Sequence, residues 1–152
     1  MSLVYLGLGT NLGDKEQNLH QAVRCLSAEV GSVLSLSSFY ASRPWGFVSE
    51  YEFLYASVLV ETNLPPLELL SKTQEIEKSI GRTAKSTSGY SDRMIDIDIL
   101  LYDKSIIDEP TLKIPHPLMT KRDFVLIPLL EIAPELVDPV SKRKFQDFIL
   151  PE

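Results

Sequence analysis

With 152 residues and 44% hydrophobic side chains, the chain has the length of one compact domain. Such a chain can bury about two-thirds of the surface its unfolded form exposes, so it needs no disulfide staples. A net charge of −6, from 15 basic and 21 acidic residues, argues against a broad nucleic-acid footprint and points to a metabolite partner, with room for a local cationic cluster.

No stretch reaches the roughly 20 apolar residues of a membrane span, residues 1–9 carry no export signal, and the single cysteine, Cys25, can form no internal bridge. A cytoplasmic protein is therefore expected. Residues 3–9 alternate as a strand, and 11–14 read as a turn into a helix. Asp14 and Gln17 form a cap pair there, after which Leu19, Ala22, Val23 and Leu26 recur on one helical face. Residues 33–40 keep Leu34, Leu36 and Tyr40 on one parity and predict a second strand with one solvated side, followed by a long loop over 41–52. The β-branched and aromatic run 53–62 predicts a third strand. Pro65-Pro66 then opens a helix that buries Leu69, Leu70, Ile76 and Ile80 and stops at Gly81.

A polar, aperiodic stretch, 82–93, leads into a fourth strand at 95–102. The order strand, helix, strand, strand, helix, strand predicts an α+β fold of the ferredoxin-like sandwich type, a four-stranded, mainly antiparallel sheet with helices on one face. From Leu112 onward, Pro115, Pro117, Pro128, Pro134 and Pro139 predict a loop-rich C-terminal extension with short helices. No linker or repeat divides the chain, so 1–152 reads as one domain.

The most informative segment is Ile95-Asp96-Ile97-Asp98-Ile99. On a strand the isoleucines face one way and the two carboxylates the other, their Cα atoms about 6.6 Å apart. Like charges so placed suit either a solvated face or a cation, and hard oxygen ligands in small number suit magnesium carried in with phosphate. Arg82 and Arg93 flank the polar loop, with Lys85 inside it, while Lys113, His116, Lys121 and Arg122 follow the strand. Guanidinium forks match phosphate oxygens, so the arginines are candidate triphosphate ligands; Lys121 reads as ordinary surface. His116, between Pro115 and Pro117, suits either a hydrogen bond to phosphate or a structural loop role. Zinc is disfavoured, since only His20 and Cys25 remain as soft ligands and neither has ligand spacing with His116. The glycines at 7, 9 and 13 miss both the dinucleotide and the P-loop patterns and read as a closely packed turn. Ser42-Arg-Pro-Trp-Gly-Phe at 42–47, with Phe53, Tyr55 and Phe124, offers aromatic faces for a flat heterocycle, or, for Phe53 and Phe124, simply core.

These segments together resemble the 6-hydroxymethyl-7,8-dihydropterin pyrophosphokinases along nearly the whole chain. The matching pieces are Gly-Thr-Asn-Leu at 9–12, Ser-Arg-Pro-Trp-Gly at 42–46, Thr-Gln-Glu-Ile-Glu at 73–77 and Gly81-Arg82. They continue with Arg-Met-Ile-Asp-Ile-Asp-Ile-Leu at 93–100, Ile-Pro-His-Pro at 114–117, Arg-Asp-Phe-Val-Leu-Ile-Pro-Leu at 122–129 and Glu-Ile-Ala-Pro at 131–134. The resemblance implies a monomeric diphosphotransferase of folate synthesis, with ATP as co-substrate and two magnesium ions. It implies that the pterin hydroxymethyl oxygen attacks the β-phosphorus and AMP leaves. By the same resemblance Asp96 and Asp98 hold magnesium, and Arg82 and Arg93 act from a catalytic loop. Gln74, Glu77, Lys85, Ile99, Lys113, His116 and Arg122 contact ATP. Phe53 and Phe124 sandwich the pterin, with Ser42, Pro44, Trp45, Tyr55 and Asp96 around it.

Three positions depart from the family pattern. Tyr55 replaces a usual asparagine, Ala84 a frequent basic residue, and Tyr90-Ser91-Asp92 a common Trp-Gly-Pro. Two other readings stay open from sequence: a transferase using the same carboxylates on another acceptor, and a non-enzymatic ligand-binding module on this fold.

Overall fold

A computed structural model describes residues 1–42, 52–81 and 94–149. Its elements are β1 (Ser2–Thr10), α1 (Lys15–Glu29), β2 (Gly31–Leu36), β3 (Tyr40–Ser42), β4 (Phe53–Thr62) and α2 (Pro66–Gly81). They continue with β5 (Asp96–Tyr102), β6 (Ile107–Glu109), β7 (Leu112–Ile114) and α3 (Asp123–Ile132). The main sheet runs β2-β4-β1-β5, with every neighbour antiparallel and β3 paired to the start of β4. It thus has five strands where the sequence predicts four.

The expected cap is present: the Asp14 carboxylate accepts the Gln17 N–H at 3.1 Å and starts α1. Leu19, Ala22 and Leu26 of α1 and Leu69, Ile76 and Ile80 of α2 pack with Val4, Leu6, Leu8, Ala56, Val58 and Val60 on one face of the sheet. The opposite face carries a second cluster, in which Leu126 and Leu129 of α3 meet Leu100, Leu101, Met119 and Phe145. Helices therefore cover both faces, not one. α3 buries Leu126, Pro128 and Leu129 there, while Ile127 stays 43% exposed on its outer side.

The stretch predicted as one strand over 33–40 is two. Ser37 accepts the Ser57 N–H on its hydroxyl at 2.8 Å and donates its own N–H to the Ser57 carbonyl at 2.9 Å, while Ser38 turns its N–H to Glu131. Serines that bond locally in this way replace ladder hydrogen bonds and end the strand. A register shift between Val33 and Ser35 leaves Leu34 as the extra residue, and Leu34 and Leu36 are 51% and 36% accessible in spite of their apolar character. Ala41 and Ser42, at the start of the predicted loop, instead pair with Leu54 and Phe53, and the rest of that stretch, 43–51, lies outside the described residues. β7, at the start of the stretch predicted as loop-rich, pairs with β6 just before it in a hairpin whose three-residue strands carry too little alternation to be seen in sequence.

The phase of β5 also changes along its length. Leu6 faces Ile99 and Tyr5 faces Leu101, so Leu100 is an extra residue in the ladder. Leu100 and Leu101 consequently both join the α3 side, and Tyr102 returns to the side of α1 and α2. Among the described residues, no helix is long and apolar enough to cross a membrane.

Candidate active site

The alternation predicted for β5 holds through its first half. Ile95, Ile97 and Ile99 are buried at 5%, 5% and 4% exposure, and Asp96 and Asp98 lie half-buried on the other face. Opposite them on β1 stand glycines, Gly9 facing Asp96 and Gly7 facing Asp98. On β4 the same two glycines face Tyr55 and Ser57. Paired residues share a face, so β1 contributes a bare backbone floor between the carboxylates of β5 and the aromatic residues of β4. The glycine run read as a turn is thus partly strand, and only Gly13, at φ 71°, serves the turn.

Glu77 locks this arrangement from α2, its carboxylate accepting the Ile97 N–H at 2.7 Å. That bond fixes the backbone between the two aspartates. Along the outer edge of β5 runs a cleft of about 260 Å³, lined by Leu70, Ile97, Asp98, Ile99, residues 110–113, His116 and Pro117. The His116 N–H donates to the Leu100 carbonyl at 3.0 Å and ties the loop to β5. Its Nδ1 accepts the Leu118 N–H at 3.2 Å, so the neutral ring carries its proton on Nε2 and can donate from there. Burial lowers the pKa of His116, and the Asp96 charge partly offsets that shift.

A histidine whose pKa is lower folded than unfolded binds a proton more readily in the unfolded chain, so the stability that neutrality supplies falls as pH drops through about 6.5. In metal-free protein, acidification from pH 7 through that range should lower the melting temperature more for wild type than for His116→Gln. Parallel decline of the two would show that another group is responsible.

The third component is aromatic. Phe53 and Tyr55 share a face of β4 and stack at 5.3 Å with planes 14° apart, and Tyr55 stacks in turn on Phe124 of α3 at 4.4 Å and 29°. Phe53 and Tyr55 are buried, at 7% and 9% exposure, and Phe124 is half-buried. Arg122, 5% exposed, holds its guanidinium carbon 5.6 Å from the Phe124 ring centre. Burial lowers the Arg122 pKa, while the Tyr55 phenol is pushed up chiefly by burial, against the pull of Arg122 and with smaller help from Asp96 and Asp98. The carboxylates, the arginine and the rings thus feel one another across a single surface.

Of the residues predicted from sequence, Asp96, Asp98, Phe53, Tyr55, Phe124, Arg122, Ile99, Lys113, His116 and Glu77 are brought together around β5 and its neighbours. Lys113 faces Asp108 across the hairpin and is ion-paired to it. Gln74 is exposed on α2, one turn from the cleft-lining Leu70, and Lys121 is exposed as expected. Ser42 is placed by its backbone alone, paired with Phe53. Pro44, Trp45, Arg82, Lys85 and Arg93 lie outside the described residues. Leu70, Pro110, Thr111, Leu112 and Pro117 also wall the cleft and are not among the residues predicted from sequence; three of these five lie between Asp98 and His116, the interval that the flanking charged residues mark.

A pair of hard carboxylates beside a donor histidine, a buried arginine and a stack of rings is an arrangement chemically suited to a polyanion next to a flat heterocycle. The model of the 7,8-dihydro-6-hydroxymethylpterin-pyrophosphokinase family matches residues 5–134, and the chain belongs to this family. It is accordingly a diphosphotransferase of folate synthesis. It is 49% identical over 140 residues to the 2-amino-4-hydroxy-6-hydroxymethyldihydropteridine pyrophosphokinase of Porphyromonas gingivalis, covering 90% of this chain and 94% of that one. To the enzyme of the same name from Aquifex aeolicus it is 40% identical over 148 residues, covering 97% and 91%. Among solved structures it resembles a Plasmodium falciparum HPPK-DHPS, with a TM-score of 0.76 at 17% identity. The match covers 97% of this chain but 43% of that longer one, a likeness of fold alone.

Proposed function

We propose that this chain transfers pyrophosphate from ATP to the hydroxymethyl oxygen of 6-hydroxymethyl-7,8-dihydropterin, releasing AMP and the pterin diphosphate. The observation that carries this reading is the shared surface on which Asp96 and Asp98 face the aromatic residues of β4 across the glycine floor of β1. Family membership supplies the substrates, and the element order of β1, α1, β2, β4, α2 and β5 supports a ferredoxin-like core.

The donor set suits magnesium. Two half-buried carboxylates on one strand offer hard oxygens and leave further positions for phosphate and water. Asp96 and Asp98 would hold the ions, two in this reading, whose positive charge offsets that of the triphosphate. The oxygen of the alcohol attacks the β-phosphorus, the bond from that phosphorus to the α-phosphate oxygen breaks, and AMP carries that oxygen away. His116 Nε2 donates to a phosphate oxygen, Arg122 meets the polyanion from the aromatic side, and Glu77 keeps β5 in register. Arg82, Arg93 and Lys85 complete the cationic set in the sequence-based assignment, Gln74 and the backbone of Ile99 contact the nucleotide, and Phe53 and Phe124 hold the pterin. We read the enzyme as a cytoplasmic monomer. The protein mainly positions the reactants and offsets charge, as phosphoryl transfer requires.

Incubation with ATP, magnesium and the pterin alcohol should yield AMP and pterin diphosphate in equal amounts. ADP with a pterin monophosphate, or AMP without any pterin product, would overturn the proposal.

A further inference from the structure

We propose that Tyr55 is a stand-in for the substrate ring: its phenol fills the stacking slot beside Phe53 and Phe124, and the incoming heterocycle must displace it. The inference rests on the reading that these two rings receive the pterin. Its own basis is the stack itself. Tyr55 is the shared partner of both phenylalanines, at 5.3 Å and 14° from one and 4.4 Å and 29° from the other, the spacing and near-parallel planes with which a flat ligand would be held.

Three further observations point the same way. Gly9 lies directly across from Tyr55, and a Cβ at Gly9 would come within 3.2 Å of Cε1 and 3.3 Å of Cδ1 of the tyrosine, so the ring rests against bare β1 backbone. Tyr55 is only 9% exposed, so its ring is held within the site and not turned out to solvent. The ring also stands beside both aspartates, whose charges it feels, on the surface where the acceptor must sit for transfer. Substrate affinity is then reduced by the fraction of molecules in which the slot is already filled. A slot filled nine-tenths of the time lowers affinity about tenfold.

Titration calorimetry of the pterin alcohol, with magnesium and a non-hydrolysable ATP analogue present, tests this on wild type, Tyr55→Phe, Tyr55→Ala and Tyr55→Leu. The phenyl ring fills the same slot, so Tyr55→Phe should bind within about twofold of wild type. Tyr55→Ala should bind the pterin about tenfold more tightly, while its free form melts at a lower temperature because two stacked contacts are lost. Tyr55→Leu keeps apolar bulk without a planar face and should shift affinity in the same direction if the alanine variant does not fold. Equal or weaker binding by the alanine or leucine variant overturns the inference, because the ring would then be a fixed wall of the pocket. A several-fold loss in Tyr55→Phe also overturns it, by showing that the hydroxyl reads the ligand. If all the proteins bind the nucleotide analogue and none binds the pterin, the substrate assignment fails and takes this inference with it.

Discussion

Asp96→Ala and Asp98→Ala are each expected to lower turnover by at least about a hundredfold, a barrier increase of about 2.7 kcal/mol, with the fold retained. The strand geometry supports both halves of this expectation. The isoleucines at 95, 97 and 99 carry the packing of β5, and the aspartates face away from that core, so truncation leaves no cavity in it. The melting temperature should therefore stay close to that of wild type. The turnover loss comes from the missing hard oxygen ligand. Single-turnover rates at saturating ATP and magnesium, paired with melting curves, separate these effects. A rate within about tenfold of wild type for either variant would remove that residue from the metal assignment.

Arg122→Met should weaken ATP binding by about 10- to 100-fold while the protein still folds. Arg122 is 5% exposed, and burial has lowered its pKa, so its charge stands in a poorly solvated position where an anion would find a strong partner. Charge-assisted hydrogen bonds are worth about 1.5–3 kcal/mol, which sets the range. Methionine nearly conserves the volume beside Phe124, so the aromatic stack should survive. Calorimetry with ATP analogue and magnesium measures the change directly. Unchanged nucleotide affinity with impaired pterin binding would instead make Arg122 a support for the rings.

Much of this site was legible because β5 announces its own geometry. The isoleucine and aspartate alternation fixes which side chains are core and which are available, and the structure keeps that division through Ile99. The cap at Asp14 and the helix opened by Pro65-Pro66 were likewise readable, since each rests on residues close in sequence. What sequence could not supply was long-range. Nothing local in Phe124 to Leu130 says that α3 covers the second sheet face, and nothing local in Gly7 or Gly9 says that these residues stand between Asp98 and Ser57 and between Asp96 and Tyr55. The stack on Tyr55 needed both facts. The split of the second strand depended on Ser37 bonding to Ser57 and on Glu131 capturing Ser38, partners 20 and 93 residues away. Glu131 also accepts the Tyr40 hydroxyl, a contact that lowers its own pKa and raises that of the tyrosine.

The strand that carries the carboxylates lies at the rim of the main sheet, with β1 on one side of it and, among the described residues, no strand of that sheet on the other. An open rim is where stray chains add on and soluble proteins begin to aggregate. Here the Glu77 carboxylate takes the Ile97 N–H, and the His116 N–H takes the Leu100 carbonyl. Each bond occupies a backbone group that an intruding strand would need, and each puts a polar residue in its path. The contacts that orient the site therefore also protect the protein against self-association, so one substitution at Glu77 would show itself both as lost activity and as reduced solubility.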